Sequence, residues 1–143
     1  DSHNHNERFL DPNYLNLLNA ALHCSDLVIN TASTISIEAA YLDKPIINLA
    51  FDARKVDYWS SCERIYEFEH YQPILNFGAV KIASSYEELT KLIIRYLKNP
   101  KLESKARNKL RESMCYRLDG KSAARVAKQL ISVLENKSLV AEN

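Results

Sequence analysis

Apolar positions along this chain recur with two different spacings, and each change of spacing marks an element. Leu15, Leu18 and Leu22 repeat at helical intervals after Asp11-Pro12, a pair suited to an N-cap and a first helical residue. A helix over 12–24 is therefore expected, ended by Ser25-Asp26. Leu27-Val28-Ile29 and Ile46-Ile47-Asn48-Leu49 are short runs bounded by polar residues, as strands buried on both faces of a parallel sheet require. Residues 34–42 between them predict a second helix, stopped by Asp43-Lys44-Pro45. Ala79 to Ala83 predicts a third strand. Ser85-Tyr86-Glu87-Glu88 is a capping box, and Leu89, Leu92, Ile93, Tyr96 and Leu97 carry its helix to Asn99-Pro100. Two more helices are expected at about 101–116 and 121–135, with Asp119-Gly120 as the turn between them. Residues 51–77 follow neither spacing and are rich in aromatics. Short helices and loops are expected there, with a turn from Pro73 to Phe77 closed by Gly78.

This order implies an α/β fold, a Rossmann-like parallel sheet flanked by helices. Three strands fall short of the roughly five or six of an average sheet. The expected architecture is thus an incomplete Rossmann-like domain over 11–136, cut from a larger protein. Residues 1–10 are read as a polar linker or cut end and 137–143 as a tail.

Composition narrows the chemistry. The chain has only two glycines, Gly78 and Gly120, where an average chain of this length carries about ten. The G-x-G-x-x-G and P-loop phosphate motifs are excluded, so a phosphate site must use a helix end and hydroxyl side chains. No apolar run approaches the ~18 residues of a membrane span, and no signal-peptide pattern opens the sequence. Cys24, Cys62 and Cys115 are odd in number and lack C-x-x-C spacing, which suits packing roles in a reducing compartment. A cytoplasmic location is expected. Net charge is +1, but residues 98–128 hold ten Lys/Arg against three Asp/Glu. That stretch suits a solvated helical face, or an anionic partner such as a membrane surface. Aromatics are not interleaved with it, so no nucleic-acid partner is expected.

The richest segment runs from Leu27 to Leu49 as strand, turn, helix and strand. Asn30, Thr31, Ser33, Thr34 and Ser36 crowd the turn, beyond the carboxyl end of a strand where open α/β sheets gather ligands. Free N–H groups and the positive end of the helix dipole make an anion site there, with the Ser33 and Thr34 hydroxyls. Glu38, one turn further on, is placed to accept hydrogen bonds from neutral hydroxyls such as a ribose diol. The plainer reading of the same residues is an ordinary N-cap at Ser33 and a solvated Glu38.

Asp26-Leu-Val-Ile-Asn-Thr-Ala-Ser-Thr-Ile-Ser-Ile-Glu-Ala-Ala-Tyr-Leu-Asp-Lys-Pro-Ile-Ile resembles the donor-site signature of GT-B glycosyltransferases. The pattern is shared by the peptidoglycan N-acetylglucosaminyltransferase, the UDP-GlcNAc epimerases and the CDP-glycerol glycerophosphotransferases. The resemblance implies a carboxyl-terminal donor domain binding a nucleotide diphosphate sugar, without metal or other cofactor. It places Thr31, Ala32, Ser33 and Thr34 against the diphosphate and Glu38 against the ribose. It also implies a missing amino-terminal acceptor domain, so that this chain alone is expected to be inactive. Asn30, Asp52 and His70 complete the expected cleft, and His70 is the candidate acid or base. Alternatives are an epimerase or glycerophosphotransferase of the same fold, or a non-catalytic α/β interaction module. A receiver-like module fits less well, because Asn30 stands where such a strand end needs a phosphoacceptor Asp.

Overall fold

In a computed structural model, residues 12–141 are described. The expected N-cap Asp11 and the polar residues 1–10, His3 and His5 among them, lie outside that range. The elements are α1 (Pro12–Cys24), β1 (Val28–Asn30), α2 (Ile35–Tyr41), β2 (Ile46–Leu49), α3 (Gln72–Asn76), β3 (Val80–Ala83), α4 (Tyr86–Lys98), α5 (Ser104–Met114) and α6 (Ser122–Ala141). Two 3-10 turns, Tyr58–Ser60 and Glu63–Glu67, occupy the aromatic segment between β2 and α3. Residues up to Arg111 form one compact unit and those from Glu112 a second.

The strands form one parallel sheet in the order β1-β2-β3, with Val28 paired to Ile46 and Ile46 to Val80. The expected fold class therefore holds: an incomplete Rossmann-like α/β layer whose sheet is not closed. β2 is the central strand, and its Ile46 and Ile47 are both fully buried. One face of the sheet packs with Ala39, Ala40, Tyr71, Ile74 and Leu110, the other with Tyr96 of α4. Along the open edge of β1, an apolar groove of about 380 Å³ runs between α1 and the strand.

Local chemistry sets the ends of these elements. Ser85 caps α4 by accepting from Glu88 N at 3.2 Å, and Glu88 Oε2 accepts from Ser84 N at 2.9 Å. Gly78 follows α3 in the left-handed region at φ +68, and a Cβ added there meets no atom within 4 Å. Gly78→Ala should therefore cost about 1 kcal/mol through backbone conformation alone, read as a shift in urea midpoint without a change in slope.

Part of the basic stretch is structural. Arg107, on α5, is fully buried. Its Nε donates to Asp43 Oδ1 at 2.9 Å, and its other nitrogens to the carbonyls of Leu102 and Pro100 at 2.6 and 2.9 Å. Lys101 and Ser104 donate to Asp43 Oδ2, so one carboxylate ties the α2–β2 turn to the loop before α5. The stretch is thus not a uniform solvated face. In the second unit, Asp119 accepts from Lys121 N and Arg125, and Arg125 and Arg117 lie over the Tyr116 ring. Among the described residues, no helix is long and apolar enough to cross a membrane.

Candidate functional site

The expected turn lies at the carboxyl end of β1, and its geometry differs from a simple helix cap. The helix starts at Ile35 and has only seven residues. Its first N–H groups are already engaged: Ile35 N by Ser33 Oγ at 3.4 Å, Ser36 N by Ser33 O and Ile37 N by Thr34 O. Thr34 occupies the N-cap position in helical geometry, with no side-chain cap bond. The unengaged donors are instead in the turn, where Thr31, Ser33 and Thr34 N–H have no acceptor among the described residues. A short helix contributes little dipole, so the turn's own backbone provides the positive potential.

Beneath the turn is a buried polar chain that the sequence did not reveal as a unit. Asn30 and Asn48 are register partners at the carboxyl ends of β1 and β2. Asn48 Nδ2 donates to the Tyr71 hydroxyl at 2.6 Å, and Tyr71 Oη meets Ser36 Oγ at 3.0 Å. Ser36 Oγ in turn lies 3.3 Å from Asn30 Oδ1. Ser36 and Asn48 are fully buried and Tyr71 nearly so, so each bond replaces water lost on folding. The chain ends on Asn30, whose Nδ2 is buried without a partner among the described residues. Tyr66 completes the support: its hydroxyl donates to Leu49 O at 2.7 Å and sits beside the N–H of Ala32. Burial, with Tyr71 and Cys62 nearby, raises its pKa well above the usual phenol value, so it stays protonated. The hint in the sequence was two amides, Asn30 ending one apolar run and Asn48 interrupting another.

The other expected residues have separate surroundings. Thr31 and Thr34 are exposed, Ala32 and Ser33 half-buried. Asp52, just beyond β2, accepts from Ser61 Oγ at 2.7 Å and from Cys62 N at 3.1 Å. Those bonds hold its carboxyl below the usual carboxylate range and fix the loop. Asp52 therefore has a structural partner set rather than a free carboxylate. His70 is exposed and stacked on Phe68 at 5.6 Å, not packed within the core. Glu38 is exposed and lines a groove with Asn19, Leu22, His23, Tyr41 and Leu42, a groove that none of Thr31–Thr34 borders. Glu67 accepts from the Tyr58 hydroxyl. Cys24, Cys62 and Cys115 are free thiols. Among the described residues, no cluster of three or more His, Cys, Asp or Glu is placed to share a metal ion.

Residues 1–132 match the family model of the CDP-Glycerol:Poly(glycerophosphate) glycerophosphotransferases. The chain belongs to this family. No curated protein and no solved structure gives a significant match. Membership of the glycerophosphotransferase family supports a glycosyltransferase-like transferase class.

Proposed function

We propose that this chain is the donor-binding part of a GT-B-like transferase that moves glycerol phosphate from CDP-glycerol to a poly(glycerophosphate) acceptor. The observation that carries the reading is the set of unengaged donors at one strand end. Among the described residues the N–H groups of Thr31, Ser33 and Thr34 lack acceptors, and Asn30 Nδ2 is buried without a partner. Unsatisfied donors at the mouth of a parallel sheet suit a diphosphate, which brings several anionic oxygens at once. The family match supports CDP-glycerol as the source of that diphosphate.

In this reading an acceptor hydroxyl attacks the phosphorus that bears glycerol. A new P–O bond forms, the anhydride bond breaks, CMP departs and the hydroxyl proton passes to a base. The contribution of Thr31–Thr34 is to hold the diphosphate and stabilise charge on the departing phosphate. Glu38 is assigned to the ribose and exposed His70 to the cleft rim, where an imidazole is suited to proton transfer. Lys98, Lys105 and Lys109 are among the basic residues of this stretch with no ion pair among the described residues, and they are available to meet an anionic acceptor or membrane surface. The acceptor-binding domain is assigned to the remainder of the protein.

Calorimetry with CDP, UDP and GDP on the full-length protein tests the reading. Thr34 has φ −61, a value proline adopts, and its N–H has no acceptor among the described residues. Thr34→Pro should therefore keep the fold and weaken CDP binding about tenfold, more than Thr34→Ala does. Unchanged CDP affinity in Thr34→Pro, Ser33→Ala and Glu38→Ala together would show that the site is elsewhere.

A further inference from the structure

The loop between β2 and α3 carries an arginine with no carboxylate of its own. Arg64 lies over the rings of Trp59 and Phe68, 5.1 Å from each centroid. No hydrogen bond or ion pair reaches its guanidinium among the described residues, and its Nε is buried without a partner. Three carboxylates of the same loop, Asp52, Asp57 and Glu67, are committed to other donors, and Glu63 and Glu69 are exposed and form no ion pair with Arg64. Asp57 accepts from Trp59 N, Ser60 N and Ser60 Oγ at 2.9, 3.1 and 2.8 Å. Glu67 accepts from Tyr58, and Asp52 from Ser61 and Cys62.

Aromatic rings cover the faces of a guanidinium and leave its in-plane N–H groups to find an acceptor. The rings are themselves held. The Asp57 cap fixes the backbone of Trp59, and Phe68 is stacked on its other neighbour, His70. Arg64 thus has a restrained orientation and unspent donors, the combination that lowers the entropic cost of binding an anion. Its position is tied to the mouth described above. Tyr66, in the same 3-10 turn, bonds to the last carbonyl of β2 and reaches Ala32, and Cys62 at the N-terminus of that turn bonds to Asp52. Trp59 is 73% exposed, so a ligand that meets Arg64 also finds an open indole.

We infer that Arg64, restrained by Trp59 and Phe68, is a phosphate-binding residue at the mouth of the site, contacting a phosphate-ester oxygen of a substrate. This deepens the transferase reading and rests on it. The phosphate belongs either to the nucleotide donor or to the glycerophosphate acceptor, and two probes separate these sources. The guanidinium recognises both through charge and paired N–H donors.

The test is equilibrium binding of CDP, cytidine and glycerol 3-phosphate to the full-length protein and its variants. Arg64→Ala should weaken CDP tenfold to about a hundredfold, the range for a charge-assisted bond, and leave cytidine unchanged. Loss of glycerol 3-phosphate binding with CDP unchanged supports the same phosphate contact on the acceptor side. Arg64→Lys keeps the charge without the planar fork and should recover only part of the affinity, with a native thermal midpoint showing that the fold is intact. Trp59→Ala, at an exposed position, should weaken the same probe. Arg64→Ala that leaves both phosphate probes unchanged overturns the inference, as does equal weakening of cytidine and CDP. If Thr34→Pro weakens CDP while Arg64→Ala does not, the turn stands and Arg64 falls. A wild-type protein that binds neither phosphate probe overturns both.

Discussion

Arg107→Ala should lower the unfolding free energy by about 3 kcal/mol and the melting midpoint by about 10 °C. The cause is loss of three bonds at once from a fully buried guanidinium. The carbonyls of Leu102 and Pro100 lose their donors, and Asp43 loses its closest cation. Asp43 keeps Lys101 and Ser104, which holds the cost near the lower end for a broken buried pair. Arg107→Lys should recover little, since one ammonium cannot reach three acceptors in a fixed fork. Urea denaturation followed by circular dichroism measures the difference. A loss below about 0.5 kcal/mol, the scale of surface substitutions, would show that the network is dispensable.

The same carboxylate predicts a pH effect. Burial raises the Asp43 pKa, but hydrogen bonds from Lys101 and Ser104, with the charge and bond of Arg107, bring it below the usual value. The folded pKa is then lower than the unfolded one, near 3.9. Its contribution is fully present above about pH 4 and is lost as pH falls through the folded value. The acid limb of the stability curve should therefore be shallower in Arg107→Ala than in the wild type.

Tyr71→Phe should cost about 2 kcal/mol, although it removes a single oxygen. That oxygen accepts from Asn48 and meets Ser36, and neither partner has access to water. Removal leaves an amide donor buried and unpaired, which costs more than the bond itself contributes. Tyr71→Ala should cost about 4 kcal/mol, because the ring also packs in the main core. In the proposed reading Tyr71→Phe also loosens Asn30 and the turn, so CDP affinity should fall several-fold at temperatures where the variant remains folded. Retained stability in Tyr71→Phe would mean that the chain of bonds is not a unit.

Much of the fold was legible because it follows local rules. Helical spacing and the Ser25-Asp26 stop set α1 at Pro12–Cys24, and a short, mostly apolar run bounded by polar residues set β2 at Ile46–Leu49. β1 lies one residue later than its apolar run suggested, since its register with β2 brings Asn30 opposite Asn48. The basic stretch misled for a different reason. Arg107 looks like its neighbours in sequence, and its partner Asp43 lies 64 positions away. Tyr71 was visible only as one of several aromatics, because its contact with Ser36 spans 35 positions. In the candidate site the hydroxyl-rich turn was legible. The short helix, with its first donors engaged internally, was not, since propensity does not reveal where N–H groups find acceptors.

The sheet's order, with neighbours in space also neighbours along the chain, bears on how the protein folds during synthesis. β1 meets β2 as soon as the intervening turn and α2 have emerged. The β2–β3 closure spans roughly twice that distance and so costs only about 0.6 kcal/mol more in loop entropy. Each strand can dock on one already made, while α5, which brings Arg107 to Asp43, leaves the ribosome afterwards. The buried ion pair then acts as a late latch on a sheet assembled before it.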